Sequence, residues 1–162
     1  MTATPTVSLP QSSKTYRAIL WAGLIAGTLD ITDSLIFNQL RGISPARVFR
    51  YIASGLIGTR AARGGMEVVA LGVVLHYFIA LTWTAIFYVA SGKFSILLRR
   101  PVICGLLYGG VVYLFMNWVV LPLSAIPVRS AMTTASRING VLALLFCIGL
   151  TVSLLTRREL RQ

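Results

Sequence analysis

The apolar run from Ala18 to Leu40 carries two aspartates, in the stretch Gly23-Leu-Ile-Ala-Gly-Thr-Leu-Asp30-Ile-Thr-Asp33-Ser34. Bounded by Arg17 and Arg41, the run is long enough to cross a bilayer, which takes about 20 residues. An ionisable side chain near the bilayer centre costs at least about 2.5–3.5 kcal/mol. Two carboxylates one helical turn apart therefore need partners or water, and the rest of the chain has to supply them.

Composition says that the solvent is lipid. With 56% hydrophobic residues, 12% charged and a mean hydropathy of +0.80, a soluble domain of 162 residues would lack the polar surface to cover itself. The net charge of +11 raises nucleic acid as a partner, but the cations sit singly or in pairs at the ends of apolar runs. That distribution anchors and orients spans, and it argues for membrane lipids, anionic ones in particular, rather than nucleic acid. One histidine and two cysteines leave no zinc cluster to build, so no metal site is expected. The predicted class is all-α: a polytopic membrane protein of four transmembrane helices, with an interfacial amphipathic helix between spans one and two.

Residues 1–17, rich in Thr, Ser and Pro, read as a flexible N-terminal tail. The apolar run that follows continues past Asp33 without an Ala-x-Ala exit, so it is expected to be retained as span one, about 18–40. Gly23, Gly27, Asp30 and Ser34 recur at four, three and four residues and define one helical stripe that should face protein. Over 41–65 the pattern changes. Ser44-Pro45 is a helix start and Gly64-Gly65 a stop, so 45–63 is predicted as the interfacial helix, with Arg47, Arg50, Arg60 and Arg63 on lipid headgroups. A short re-entrant segment is the alternative, because Gly55 and Gly58 weaken the helix.

Span two, about 68–90, contains the sole histidine, and Gly72, His76, Ala80 and Thr84 repeat every four residues. Span three, about 102–121, pairs Gly105 with Gly109 and continues that stripe through Tyr113 and Asn117. Pro122 and Pro127 are expected to stop it. Span four, about 138–156, opens with Asn139 and leads into a basic tail, 157–162. Gly23, Gly27, Gly72, Gly105 and Gly109 are the predicted helix-packing positions. Cys104 and Cys147 fall at different depths, so no disulfide is expected between them.

At about 1.5 Å per residue, Asp30 lies roughly 15 Å, Asp33 roughly 10 Å, His76 roughly 12 Å and Asn117 roughly 6 Å from the side of the first and third loops. Asp30, Asp33, His76, Asn117 and Tyr113 thus form a predicted polar intramembrane cluster in one half of the bilayer. Spans one and two are antiparallel, which would let Asp33 meet His76, while the other carboxylate accepts from Asn117, Tyr113 or Thr32. Three functions fit such a cluster. The leading one is a structural or accessory membrane subunit with a buried polar network, alone as a homo-oligomer or within a larger complex, with no catalytic residue and no cofactor. The alternative is a small proton-coupled transporter or channel using Asp30, Asp33 and His76. A further alternative makes His76 an axial ligand of haem or chlorophyll.

Counting cations gives eight on the side of both termini and seven on the other, a bias toward cytoplasmic termini. Ala22-Gly-Leu-Ile-Ala-Gly27, His76 leading into an aromatic-rich span, Gly105-Leu-Leu-Tyr-Gly109 and the exit Leu121-Pro-Leu-Ser-Ala-Ile-Pro127 are short motifs shared with a known group. On them the chain resembles uncharacterised bacterial inner-membrane proteins of the YagU-like type, over about residues 18–37 and 70–128. The resemblance implies a bacterial inner-membrane location and no assigned reaction. The arginine-rich stretch from Arg41 to Arg63 departs from that pattern.

Overall fold

The computed structural model describes residues 12–126 and 133–160. Most of the predicted N-terminal tail, Pro127, Arg129 and the last two residues of the basic tail lie outside the described residues. The secondary structure that is described is helical throughout. Four helices are long and apolar enough to cross a membrane: Thr15–Gln39, Met66–Lys93, Pro101–Leu123 and Thr134–Leu160. We label the elements α1 (Ser12–Gln39), α2 (Pro45–Ile57), α3 (Met66–Lys93), α4 (Pro101–Leu123) and α5 (Thr134–Leu160).

Each end has a local cause. Past the end of α1, Gly42 takes φ 75°, and Gly42 N–H and Ile43 N–H return to the carbonyls of Gln39 and Asn38 at 2.9 and 3.0 Å. That pairing is a Schellman closure, and no atom crowds a Cβ at Gly42, so backbone conformation alone requires glycine there. Ser44 in extended backbone and Pro45 in the first turn start α2. Gly58, at φ 63°, ends it and hands the chain to a 3₁₀ turn, Gly58–Arg63. The helix expected over 45–63 is therefore two elements. In front of α3, the Glu67 carboxylate accepts the Gly65 N–H at 2.7 Å. Thr133 Oγ1 accepts the Ser136 N–H at 3.2 Å and caps α5.

The spans outrun their expected limits. Helix begins at Ser12, inside the predicted tail, and α5 continues through Arg157 and Arg158 to Leu160. Pro122 does not stop α4, which continues to Leu123. Proline has no N–H to donate, and the preceding turn, Met116–Val120, widens to a π-type turn that accommodates it. A second wide turn, Leu144–Leu150, interrupts α5, and Thr151 Oγ1 donates to the Phe146 carbonyl within it at 3.1 Å.

In the bundle α1 packs against α3 and α5, and α4 lies against α5. Gly23 faces Leu81 and Thr84, and Gly27 faces Ala80 and Tyr77, so α1 and α3 run antiparallel. Between α4 and α5 the backbones touch: a Cβ on Gly105 would lie 2.8 Å from the Gly149 carbonyl, and one on Gly149 would overlap Gly105 and Gly109. Ala26, Phe87, Ile148 and Val152 fill the centre. Tyr108 donates its hydroxyl to the Trp83 carbonyl and packs edge-on against Phe87, tying α4 to α3. Large apolar side chains face outward on every span, among them Trp21, Phe78, Trp118 and Phe146. Such a surface belongs in acyl chains rather than water.

Gly72, expected to pack span on span, receives α2 instead: the Phe49 carbonyl occupies the place of its missing Cβ. Ala53, Ala61 and Val68 complete that contact with Ile57 and Leu71. The far side of α2 is held by the α4 exit, where Ala125 N–H donates to the Gly55 carbonyl at 2.9 Å.

Gly149→Val is expected to lower bundle stability by about 1–3 kcal/mol, because the wall it meets is backbone that cannot rotate away. Gly110→Ala is the control, since a Cβ there has no neighbour within 4 Å. Thermal unfolding in detergent measures both; a Gly149→Val protein that melts with wild type would show that this approach does not hold α4 on α5.

Candidate functional site

The aspartates sit where α1 passes between α3 and α5. Asp33 lies six residues before the end of α1, about 9 Å along the axis, and Asn139 five residues after the start of α5, about 8 Å. At this shared height Asn139 Nδ2 donates to Asp33 Oδ2 at 2.8 Å. His76 is buried on α3, and its Nε2–H donates to the Gly27 carbonyl of α1 at 2.8 Å. A carbonyl only accepts, so Nε2 carries the proton in this contact and Nδ1 remains for a second interaction. The approach depends on Gly27, where a Cβ would press on Ala80 and Tyr77.

Asp30 is half-buried between these two bonds and within electrostatic range of both His76 and Asp33. Among the described residues its carboxylate accepts no hydrogen bond. Two residues earlier, on the outer side, Thr28 and Tyr77 join hydroxyls at 3.0 Å across α1 and α3. Above Asp33, Asn38 Nδ2 donates to the Ser34 carbonyl at 2.8 Å. Arg41 lies over the Phe37 ring, 5.4 Å from its centroid, and donates to Thr133 and Ser136 at the head of α5. Polar contacts thus run from α1 to both neighbours along the loop-side half of the bundle.

The predicted cluster is brought together in part. Asp30, Asp33 and His76 share one region, but Asp33 is bonded to Asn139 and His76 to a backbone carbonyl, so the expected Asp33–His76 pair does not form. Asn117 turns back onto its own helix and donates to the Tyr113 carbonyl at 2.8 Å. Tyr113 places its ring against Gly140, 3.6 Å from where a Cβ would lie, beside Asn139 but without a hydrogen bond to either carboxylate. Both residues have the right height. Their helix lies behind α5, which takes the position next to Asp33.

Asn139 is the site residue that the sequence reading left out. Taking Arg137 as the boundary of span four put Asn139 at the membrane edge, whereas the Thr133 cap starts the helix a full turn earlier and lowers Asn139 to the level of Asp33. A Thr-x-x-Ser cap pattern ahead of Arg137 was the available signal. As for the other predicted contacts, Arg47, Arg60 and Arg63 are exposed and Arg50 is half-buried on α2. Cys104 and Cys147 are free thiols.

Chemically the arrangement offers two things: side-chain bonds that fix α1 against α3 and α5, and one carboxylate beside an imidazole that packing does not engage. If the Asp33–Asn139 bond fixes α1 on α5, then Asp33→Ala and Asn139→Ala should be coupled in a double-mutant cycle by about 0.6–1.7 kcal/mol, the range of interhelical hydrogen bonds in membranes. Additive losses in detergent melting would contradict it. Compared with protein-family models, curated proteins and solved structures, the chain finds no match.

Proposed function

We propose that this integral membrane protein is a structural or accessory subunit, complex-associated or self-assembling, whose intramembrane polar groups select one helix packing. We assign it no catalytic residue. The observation that carries the reading is how its polar side chains are used: Asn139 and Asp33 bond α5 to α1, and His76 bonds α3 to α1. Four helices enclose little interior, and the outward aromatic and aliphatic side chains leave wide faces for lipid or further subunits. Location in a bacterial inner membrane with cytoplasmic termini belongs to the same proposal. It is supported by the YagU-like motifs and by eight cations against seven on the side where α1 begins and α5 ends.

A second reading rests on Asp30. A carboxylate within a span, unengaged among the described residues and in range of His76, is the arrangement of a proton-exchanging site. His76 Nδ1 is the nitrogen left to take part, and it is also the one left for any axial ligation, because Nε2 faces Gly27.

The two readings separate on one pair of variants. Under the structural reading, His76→Leu lowers the melting temperature in detergent and Asp30→Asn leaves it unchanged. Liposomes carrying intact wild-type protein should then hold a pH gradient as long as empty ones. Gradient dissipation that Asp30→Asn abolishes would replace the structural reading with the proton-exchange one. Unchanged melting of His76→Leu would remove the basis of the first.

A further inference from the structure

A strongly basic surface lies away from the aspartates, on α2 and the 3₁₀ turn that follows. Arg47 and Arg50 are three residues apart on an α-helix and share a side of it. Arg60 and Arg63 are three apart on a 3₁₀ helix, where residues at that spacing stand one above the other. The 3₁₀ turn folds back on α2 through Ala61, which packs with Ala53 and Val68. Four guanidiniums are thereby gathered on one small unit.

Among the described residues little neutralises them. Glu67 is in electrostatic range of Arg50, but one of its oxygens is engaged by the Gly65 N–H at 2.7 Å. Arg50 Nε is buried without an acceptor among the described residues. Anions from outside the chain would relieve the mutual repulsion that Glu67 leaves.

The setting selects which anions. The unit links the end of α1 to the start of α3, so it is held at the boundary between acyl chains and water. On α2 itself Leu56 is 62% exposed. An apolar side chain left open on the same short helix as the arginines suits a ligand that is anionic at one end and apolar at the other. A free phosphate would meet the charge and leave Leu56 in water. We propose that Arg47, Arg50, Arg60 and Arg63 form a docking surface for the phosphate headgroups of anionic membrane lipids, with the exposed Leu56 of α2 against the acyl chains. The inference is independent of the role given to Asp30, Asp33 and His76.

The test uses the full chain in detergent with fluorescent phosphatidylglycerol as probe, phosphatidylcholine as the neutral lipid and inorganic phosphate as a soluble competitor. Wild type should bind phosphatidylglycerol in preference to phosphatidylcholine. The Arg47→Gln, Arg50→Gln, Arg60→Gln, Arg63→Gln protein should lose that preference by about tenfold or more, given the attraction of each basic residue to an anionic surface. Arg99→Gln with Arg158→Gln, exposed residues at the opposite end, should keep it. Should the quadruple variant fail to fold, Arg47→Gln with Arg63→Gln, both exposed, gives the same comparison. Equal binding of the two lipids by wild type, an undiminished preference in the variants, or an equal loss from the opposite-end pair would overturn the proposal. Displacement by inorganic phosphate would overturn it in favour of a soluble anion.

Discussion

Helices in lipid gain nothing from hiding apolar surface against one another, because acyl chains are as apolar as leucine. Association has to come from close backbone approach and from bonds between polar groups, and this fold depends on the first to permit the second. Gly27 lets α3 come near enough for His76 to reach the carbonyl of that same glycine. On the other side of the bundle, Gly105, Gly109 and Gly149 bring two backbones into direct contact with no side chain between them. Side chains of any size at these positions would separate the helices beyond the reach of a hydrogen bond.

The polar groups divide according to which helix stands next to them. α1 is flanked by α3 and α5, and its Asp33 carboxylate and Gly27 carbonyl are the acceptors that those neighbours reach. α4 lies outside this set, and its Asn117 satisfies itself on the carbonyl one turn back, which a polar side chain in lipid does when no neighbour is in range. Asp30 is left as the exception, close to an imidazole and a second carboxylate but bonded to neither. An uncompensated group of this type is where a bundle otherwise explained by packing carries chemistry.

Wide turns are the fold's other adjustment. In α4 one precedes Pro122, and in α5 one faces the glycine contact with α4. Both occur where the regular ladder meets an obstacle, a missing N–H in the first case and a backbone pressed against it in the second. Meanwhile α2 replaces a transmembrane partner at Gly72, so the α1–α3 connection is built into the bundle and pinned on its far side by the α4 exit. Arg47 stays at the surface because the helix is amphipathic and turns Ala53 and Ile57 toward α3, while Arg50 is half-buried.

Four apolar spans and the spacing of polar groups along each were legible in the chain, since hydropathy and a rise of about 1.5 Å per residue set these without reference to neighbours. The same spacing brought Asp30, Asp33 and His76 to one region of the bundle. The lateral packing set the rest: Asp33 takes Asn139, His76 takes a backbone carbonyl, Gly72 receives α2, and Asp30 accepts no hydrogen bond among the described residues. Depth and face follow from local periodicity, whereas partners follow from the lateral order of the helices and from where each one begins. A cap at Thr133 rather than a boundary at Arg137 was enough to bring a different amide to the carboxylate.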